Sequence, residues 1–180
     1  VSAGARARTR TVLGELDHQR KGSVIRFLHE AELIQKGESV ISLVEADLTD
    51  VILSSAAIRG ANVSGANLRR ATFFVADLQE ANLRGAQLKE AAFTGTNLRD
   101  AHLNNTDLRN GSLREARIDG TDLSGADLSS TSLRGAFFKD VKVKGATFTK
   151  ADLRGTHVRA EPLSEATSIE GILLPEPSTG

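Results

Sequence analysis

Four histidines, at positions 18, 29, 102 and 157, are the first residues to test for chemistry. Imidazole can act as a base or a metal ligand near neutral pH. No two of them have a metal-ligand spacing backed by a third ligand. HEAEL (29–33) begins like a zinc-protease helix but lacks the second histidine of H-E-x-x-H. Serines are plentiful, yet none has a histidine set beside it as a base. The chain has no cysteine, so thiol chemistry and Cys-based metal sites are excluded. It has no phosphate-cradling glycine loop and no dinucleotide fingerprint. Asn62-Val63-Ser64 and Asn104-Asn105-Thr106 fit the three-residue glycosylation acceptor. That signal is weak, and both are read as chain corners. The residues therefore predict a protein that is not an enzyme, with no cofactor and no metal.

Stepping along the chain by five from Leu43 to Leu163 meets only Leu, Ile, Val or Phe, at 25 positions. Two residues before each lies a second column, from Ile41 to Glu161; fifteen of its members are Ala and five are Thr. The three remaining positions are polar, charged or Gly, with few exceptions. A period of five matches neither the 3.6 of a helix nor the 2 of a strand. A chain that turns a corner every five residues hides both columns and leaves three residues facing water. Gly fills the last outer slot nine times, from Gly60 to Gly155, where a type II turn needs positive φ. Asp or Asn precedes the large residue ten times, where its side chain can bond nearby backbone.

The motifs ADLTD (46–50), ANLRR (66–70), ADLQE (76–80), ANLRG (81–85), ADLSS (126–130) and ADLRG (151–155) resemble the pentapeptide repeat family, whose pattern is A(D/N)LXX. The resemblance covers roughly residues 41–160. It implies an all-β solenoid, a right-handed quadrilateral β-helix with four pentapeptides per coil and about six coils. With ~4.8 Å between stacked strands, such a rod is roughly 30 Å long. Equivalent positions then recur every 20 residues, so Phe73 and Phe93 should stack, with Leu53 below and Leu113 above. The interior is filled and apolar, which leaves the outer faces and the ends for function.

The ends need covering, because terminal coils expose core side chains and unpaired backbone. Residues 17–37 are expected to form an N-terminal α-helical cap, started by Asp17 and stopped by Gly37, with Val24, Phe27, Leu28, Ala31 and Ile34 on its buried face. Partner binding is the other use of that stripe. Residues 1–16, with Arg6, Arg8 and Arg10, read as a basic linker or short helix; a membrane-surface segment is the alternative. The pattern fails at Glu161-Pro162, so the repeat domain is set at 41–160. Ile169, Ile172, Leu173 and Leu174 are expected to fold over the last coil as a cap (161–174), and 175–180 as a disordered tail. A C-terminal dimer contact is the alternative there, with the monomer preferred.

The chain carries 23 basic and 23 acidic residues, a formal net charge of zero. This argues against a general polyanion binder, and no direct nucleic acid binding is expected. On the four-per-coil arrangement Arg114, Arg134 and Arg154 form one column, and Arg69, Lys89 and Arg109 another. These six are the candidate interaction surface. The acidic neighbours Asp107, Asp127 and Glu90 favour reading the charges as a solvated face. Phe74 and Phe137 stand out as apolar residues in outward slots.

The function expected is a non-enzymatic protein-interaction or scaffold module of a bacterial protein, with an unidentified protein partner. The alternative implied by the resemblance is a DNA-mimicking modulator of DNA gyrase of the quinolone-resistance type. Mimicry needs a continuous acidic stripe, which the arginine columns interrupt. Absence of cysteine fits a cytoplasmic protein. A chain starting at Val1 suggests that something precedes it, and a membrane tether upstream would suit the basic segment.

Overall fold

A computed structural model describes residues 13–34, 42–156 and 163–175. The basic residues 6–10, the Gly37 helix stop, His157, the Glu161-Pro162 break and the tail from 176 lie outside the described residues. From residue 43 the chain winds as a right-handed quadrilateral β-helix. Each side contributes a single bridging position, paired in parallel with the residue 20 further on, as in Asp47↔Asn67, Ile52↔Thr72, Ala57↔Asp77 and Asn62↔Asn82. The backbone ladder is continuous: the Leu48 N–H donates to the Asn67 carbonyl at 2.8 Å, Asp50 to Arg69 at 2.9 Å, and Asn67 back to Ala46 at 2.9 Å. Stacking thus satisfies groups that no single short strand could satisfy alone.

The corners close by a bond from the small inward residue to the preceding large one, as from Ala46 N–H to the Leu43 carbonyl at 3.1 Å. Each described corner has positive φ at its second central residue, the requirement of a type II turn. Glycine accounts for only some of them. Glu80, Arg70, Ser130 and Lys150 adopt the same left-handed conformation at φ 56° to 59°. The ladder on either side over-determines the corner, so an ordinary residue is carried into a region it would avoid alone.

Every fifth residue from Leu43 to Leu153 is buried, as is the small column from Ala46 to Thr156. Phe73 and Phe93 stack with ring centroids 4.7 Å apart and planes 6° from parallel. The buried threonines are all satisfied. Oγ1 of Thr96, Thr106, Thr121, Thr131 and Thr156 donates to the carbonyls of Phe73, Leu103, Leu98, Leu108 and Leu153, at 2.5 to 2.8 Å. A hydroxyl therefore substitutes for the alanine methyl without leaving an unpaired donor.

At the N-terminal end lies α1 (His18–Glu30). Asp17 caps it by accepting the N–H groups of Gln19 and Arg20 at 3.0 and 2.8 Å. The helix is shorter than the expected 17–37, and its buried face agrees only in part: Leu28 and Ile34 are buried and Val24 packs against the core, but the other two expected residues are exposed. Lys21, Gly22, Ile25 and Leu28 are covered, while Phe27 is 64% exposed. The reason is the close approach at Gly22, where any Cβ would run into the Ile52 carbonyl oxygen. That contact, with the Ile52 N–H donating to the His18 carbonyl at 3.3 Å, fixes the helix rotation and turns Phe27 outward. Arg26 donates to the Ser54 carbonyl at 3.2 Å, and His29 Nε2 lies 3.1 Å from the Arg59 carbonyl.

The C-terminal end departs from expectation. Residues 163–175 do not fold over the last coil but add to it. Thr147 bridges Ser168 and Asp152 bridges Leu173, a step of 21 rather than 20. The extra residue is accommodated between Leu163 and Ser168, where the Gly145 N–H donates to the Glu165 carbonyl at 2.8 Å and the Thr167 N–H to the Ala146 carbonyl at 2.7 Å. In this register Ile169 follows above Phe148 and Leu174 above Leu153. Both are about half exposed, because no described coil lies beyond them.

Candidate interaction surface

The inward residues divide the rod into four faces. The first runs from Leu48 to Phe148, the second from Leu53 to Leu153, the third from Ile58 to Phe138, and the fourth from Leu43 to Val143. On every face the residues immediately before and after the inward one lie on the outside of the rod, and among the described residues all but Asn104 reach solvent. Asp or Asn before it accepts the N–H of the residue after it: Asp77 from Gln79 at 3.1 Å, Asp127 from Ser129 at 2.9 Å, Asp152 from Arg154 at 3.1 Å. The repeat's own polar residues are thus spent on holding the corner.

The bridge register places Arg69, Lys89 and Arg109 in one column of the first face, and Arg114, Arg134 and Arg154 in one column of the second. Neither is an open ladder of cations. Arg109 grips Asp107 through two bonds of 2.8 and 2.7 Å and lies 3.6 Å from Asp127. Arg154 grips Asp152 at 2.9 and 2.8 Å, with Arg134 3.9 Å from the same carboxylate. These guanidinium contacts hold the Asp107 and Asp152 carboxyls below the usual carboxylate range. Among the described residues Arg69 and Arg114 form no ion pair, and Lys89 reaches only Glu90, at 3.7 Å.

Three features escaped the sequence. Arg70 is clamped by Asp50, one coil below, through two bonds of 2.7 Å, and this contact lowers the Asp50 pKa. With Arg69, Lys89 and Glu90 it bounds a shallow depression at the edge between the first and second faces. Val75 occupies a left-handed corner at φ 55°. Asn104 is buried in an outward slot, with its Oδ1 lacking any hydrogen-bond partner. That burial also removes it as a glycosylation acceptor. Both outward phenylalanines are half exposed, and Phe137 lies under the Arg117 guanidinium, 5.7 Å from the ring centre. Among the described residues no group of three or more His, Asp or Glu is placed to hold a metal ion. No helix among them is long and apolar enough to cross a membrane.

The family model described as pentapeptide repeats matches in eight copies, over residues 41–70, 52–88, 76–114, 86–125 and 121–159. The chain belongs to the pentapeptide repeat family. Among solved members of this fold it is similar to QnrB1, a plasmid-mediated fluoroquinolone resistance protein. The identity is 23%, over 74% of this chain and 80% of that one, with a TM-score of 0.45. It is also similar to a pentapeptide repeat protein of the Arabidopsis thaliana thylakoid lumen, at 26% identity over 63% and 68% of the two chains and a TM-score of 0.35. A third is HetL of Nostoc sp. strain PCC 7120, a pentapeptide repeat protein involved in heterocyst differentiation regulation, at 26% identity over 75% and 73% and a TM-score of 0.23. No curated protein matches the chain significantly.

Proposed function

We propose that this pentapeptide repeat rod is a non-enzymatic interaction module that binds a protein on its outer faces. The observation that carries the reading is the filled interior. With every inward residue from Leu43 to Thr156 buried, a ligand has access only to flat surfaces. Flat, regularly spaced faces suit a protein surface better than a small molecule, which needs a concave site. The gyrase-modulating alternative is disfavoured, because the carboxylates alternate with guanidinium groups. Asp50, Asp107, Asp119 and Asp152 are each in contact with an arginine, so no face is uniformly negative.

The test is affinity capture with the full chain, followed by reconstitution with the purified captured protein and titration calorimetry. A saturable one-to-one complex is the expected result. Turnover in a general hydrolase and transferase panel, with no partner that rebinds after purification, would overturn the proposal.

A further inference from the structure

We infer that the second face carries, around Phe74, a two-point docking site for a protein segment bearing an acidic and an apolar side chain. The inference rests on the interaction reading proposed above and names the chemistry of the partner.

The apolar point is Phe74 with Val75. Val75 is a β-branched residue at φ 55°, a conformation that β-branched side chains strongly disfavour. Among the described non-glycine residues at positive φ, the others are Glu, Asp, Ser, Arg, Asn or Lys. Val75 is also half exposed, so little packing offsets its strain, and an Asn or Gly there would serve the corner better. Phe74 beside it is equally exposed and, unlike Phe137, lies under no cation. The fold needs neither residue. Gly95, one coil above, leaves the Val75 methyls open, since a Cβ added there would sit 3.4 Å from Cγ2.

The charged point is the depression bounded by Arg69, Arg70, Lys89 and Glu90. Arg70 is held in place by Asp50, while Arg69 has no ion pair among the described residues. A carboxylate entering there would meet one fixed and one uncommitted guanidinium, with the Lys89 ammonium close by. Arg70 and Phe74 are four residues apart across one face, at most ~14 Å of extended chain. The floor between them at this height is uncharged, consisting of Thr72, Ala92 and Thr94, while Arg114 stands two coils above Phe74 in the same column. An acidic residue set three or four positions from a Leu, Phe or similar side chain in an extended segment spans this distance. Asp50 and Glu90 in the basic edge, and the apolar opposite edge, argue for a protein rather than a nucleic acid strand.

A random peptide library displayed on phage and selected on the immobilised full chain tests this. Enriched peptides should pair an acidic residue with an aromatic or aliphatic one at that spacing. Retention of a selected peptide should fall about tenfold in Phe74→Ala and in the double variant Arg69→Ala/Lys89→Ala, and stay unchanged in Arg109→Ala. Val75→Asn should melt at a higher temperature than the native chain yet bind the peptide more weakly, a combination that a purely structural role would not produce. Peptides enriched equally by native chain and variants would sink this site while leaving the interaction reading intact. No enrichment above bare support would likewise overturn the site, the interaction reading being tested separately by capture and calorimetry. Retention of a 20-nucleotide single-stranded DNA that is lost in the double variant would reassign the surface to nucleic acid and overturn the inference.

Discussion

At Asn104 an outward-pointing residue has been drawn under its neighbours, and its Oδ1 meets no donor. Arg84 and Ser124 fill the equivalent slots one coil below and above, and neither is fully buried. An unpaired buried acceptor carries the full desolvation cost. Asn104→Ser should therefore raise stability, by about 1 kcal/mol, seen as a higher urea midpoint with an unchanged slope. A lower midpoint would mean that the amide packs better than it is solvated. The clamped carboxylates make a second prediction. Asp50, Asp107 and Asp152 have lowered pKa values in the fold, caused first by hydrogen bonds from arginine. Their contribution is complete above the unfolded value of about 3.9 and disappears as pH drops through the lower folded values. Thermal melts should be flat from about pH 7 to 5 and fall below about pH 4, less steeply in Asp107→Asn/Asp152→Asn. At this scale the sequence was partly legible. The positions of the arginine columns followed from register alone. Their pairing with Asp107 and Asp152 did not, because side chains of neighbouring residues choose partners by rotamer, which a column diagram omits.

Among the elements, the coils were the most legible and the ends the least. A coil repeats one packing problem 23 times between Leu43 and Leu153, so every repeat votes for the same answer. The helix is met once, and an apolar stripe at helical spacing does not say which residue touches what. Gly22 decided it. Substituting Gly22→Ala places a methyl against the Ile52 carbonyl and should cost about 1–3 kcal/mol in spite of alanine's better helix propensity. A melt showing a gain would mean that α1 does not rest on the first coil as described. The C-terminal segment misled for a different reason. Glu161 and Pro162 break the side-chain pattern, but coil stacking depends on backbone bonds, and those resume from Glu165 with the Phe148 N–H donating to the Ser168 carbonyl at 2.7 Å. The 21-residue step is invisible to a search for fives.

Considered whole, the rod is bound by contacts between adjacent coils only, so its stability is close to a sum over coils and interfaces. Phe93 lies mid-rod on Phe73, and Phe93→Ala should cost about 3–5 kcal/mol. Hydrogen exchange should then show the loss centred on residues 73–113 and fading toward both ends, whereas uniform loss would indicate a single cooperative unit. The regular winding has one more consequence, for arrangement rather than strength. Position along the chain encodes angle as well as height. Excising twenty residues shortens the rod by one turn and leaves every column aligned. Excising five, for example 96–100, turns everything above the cut by a quarter revolution and brings Arg114 from the face of Phe74 onto that of Arg69. The molecule is thus a dial, in which small deletions could redirect its surfaces without rebuilding its interior.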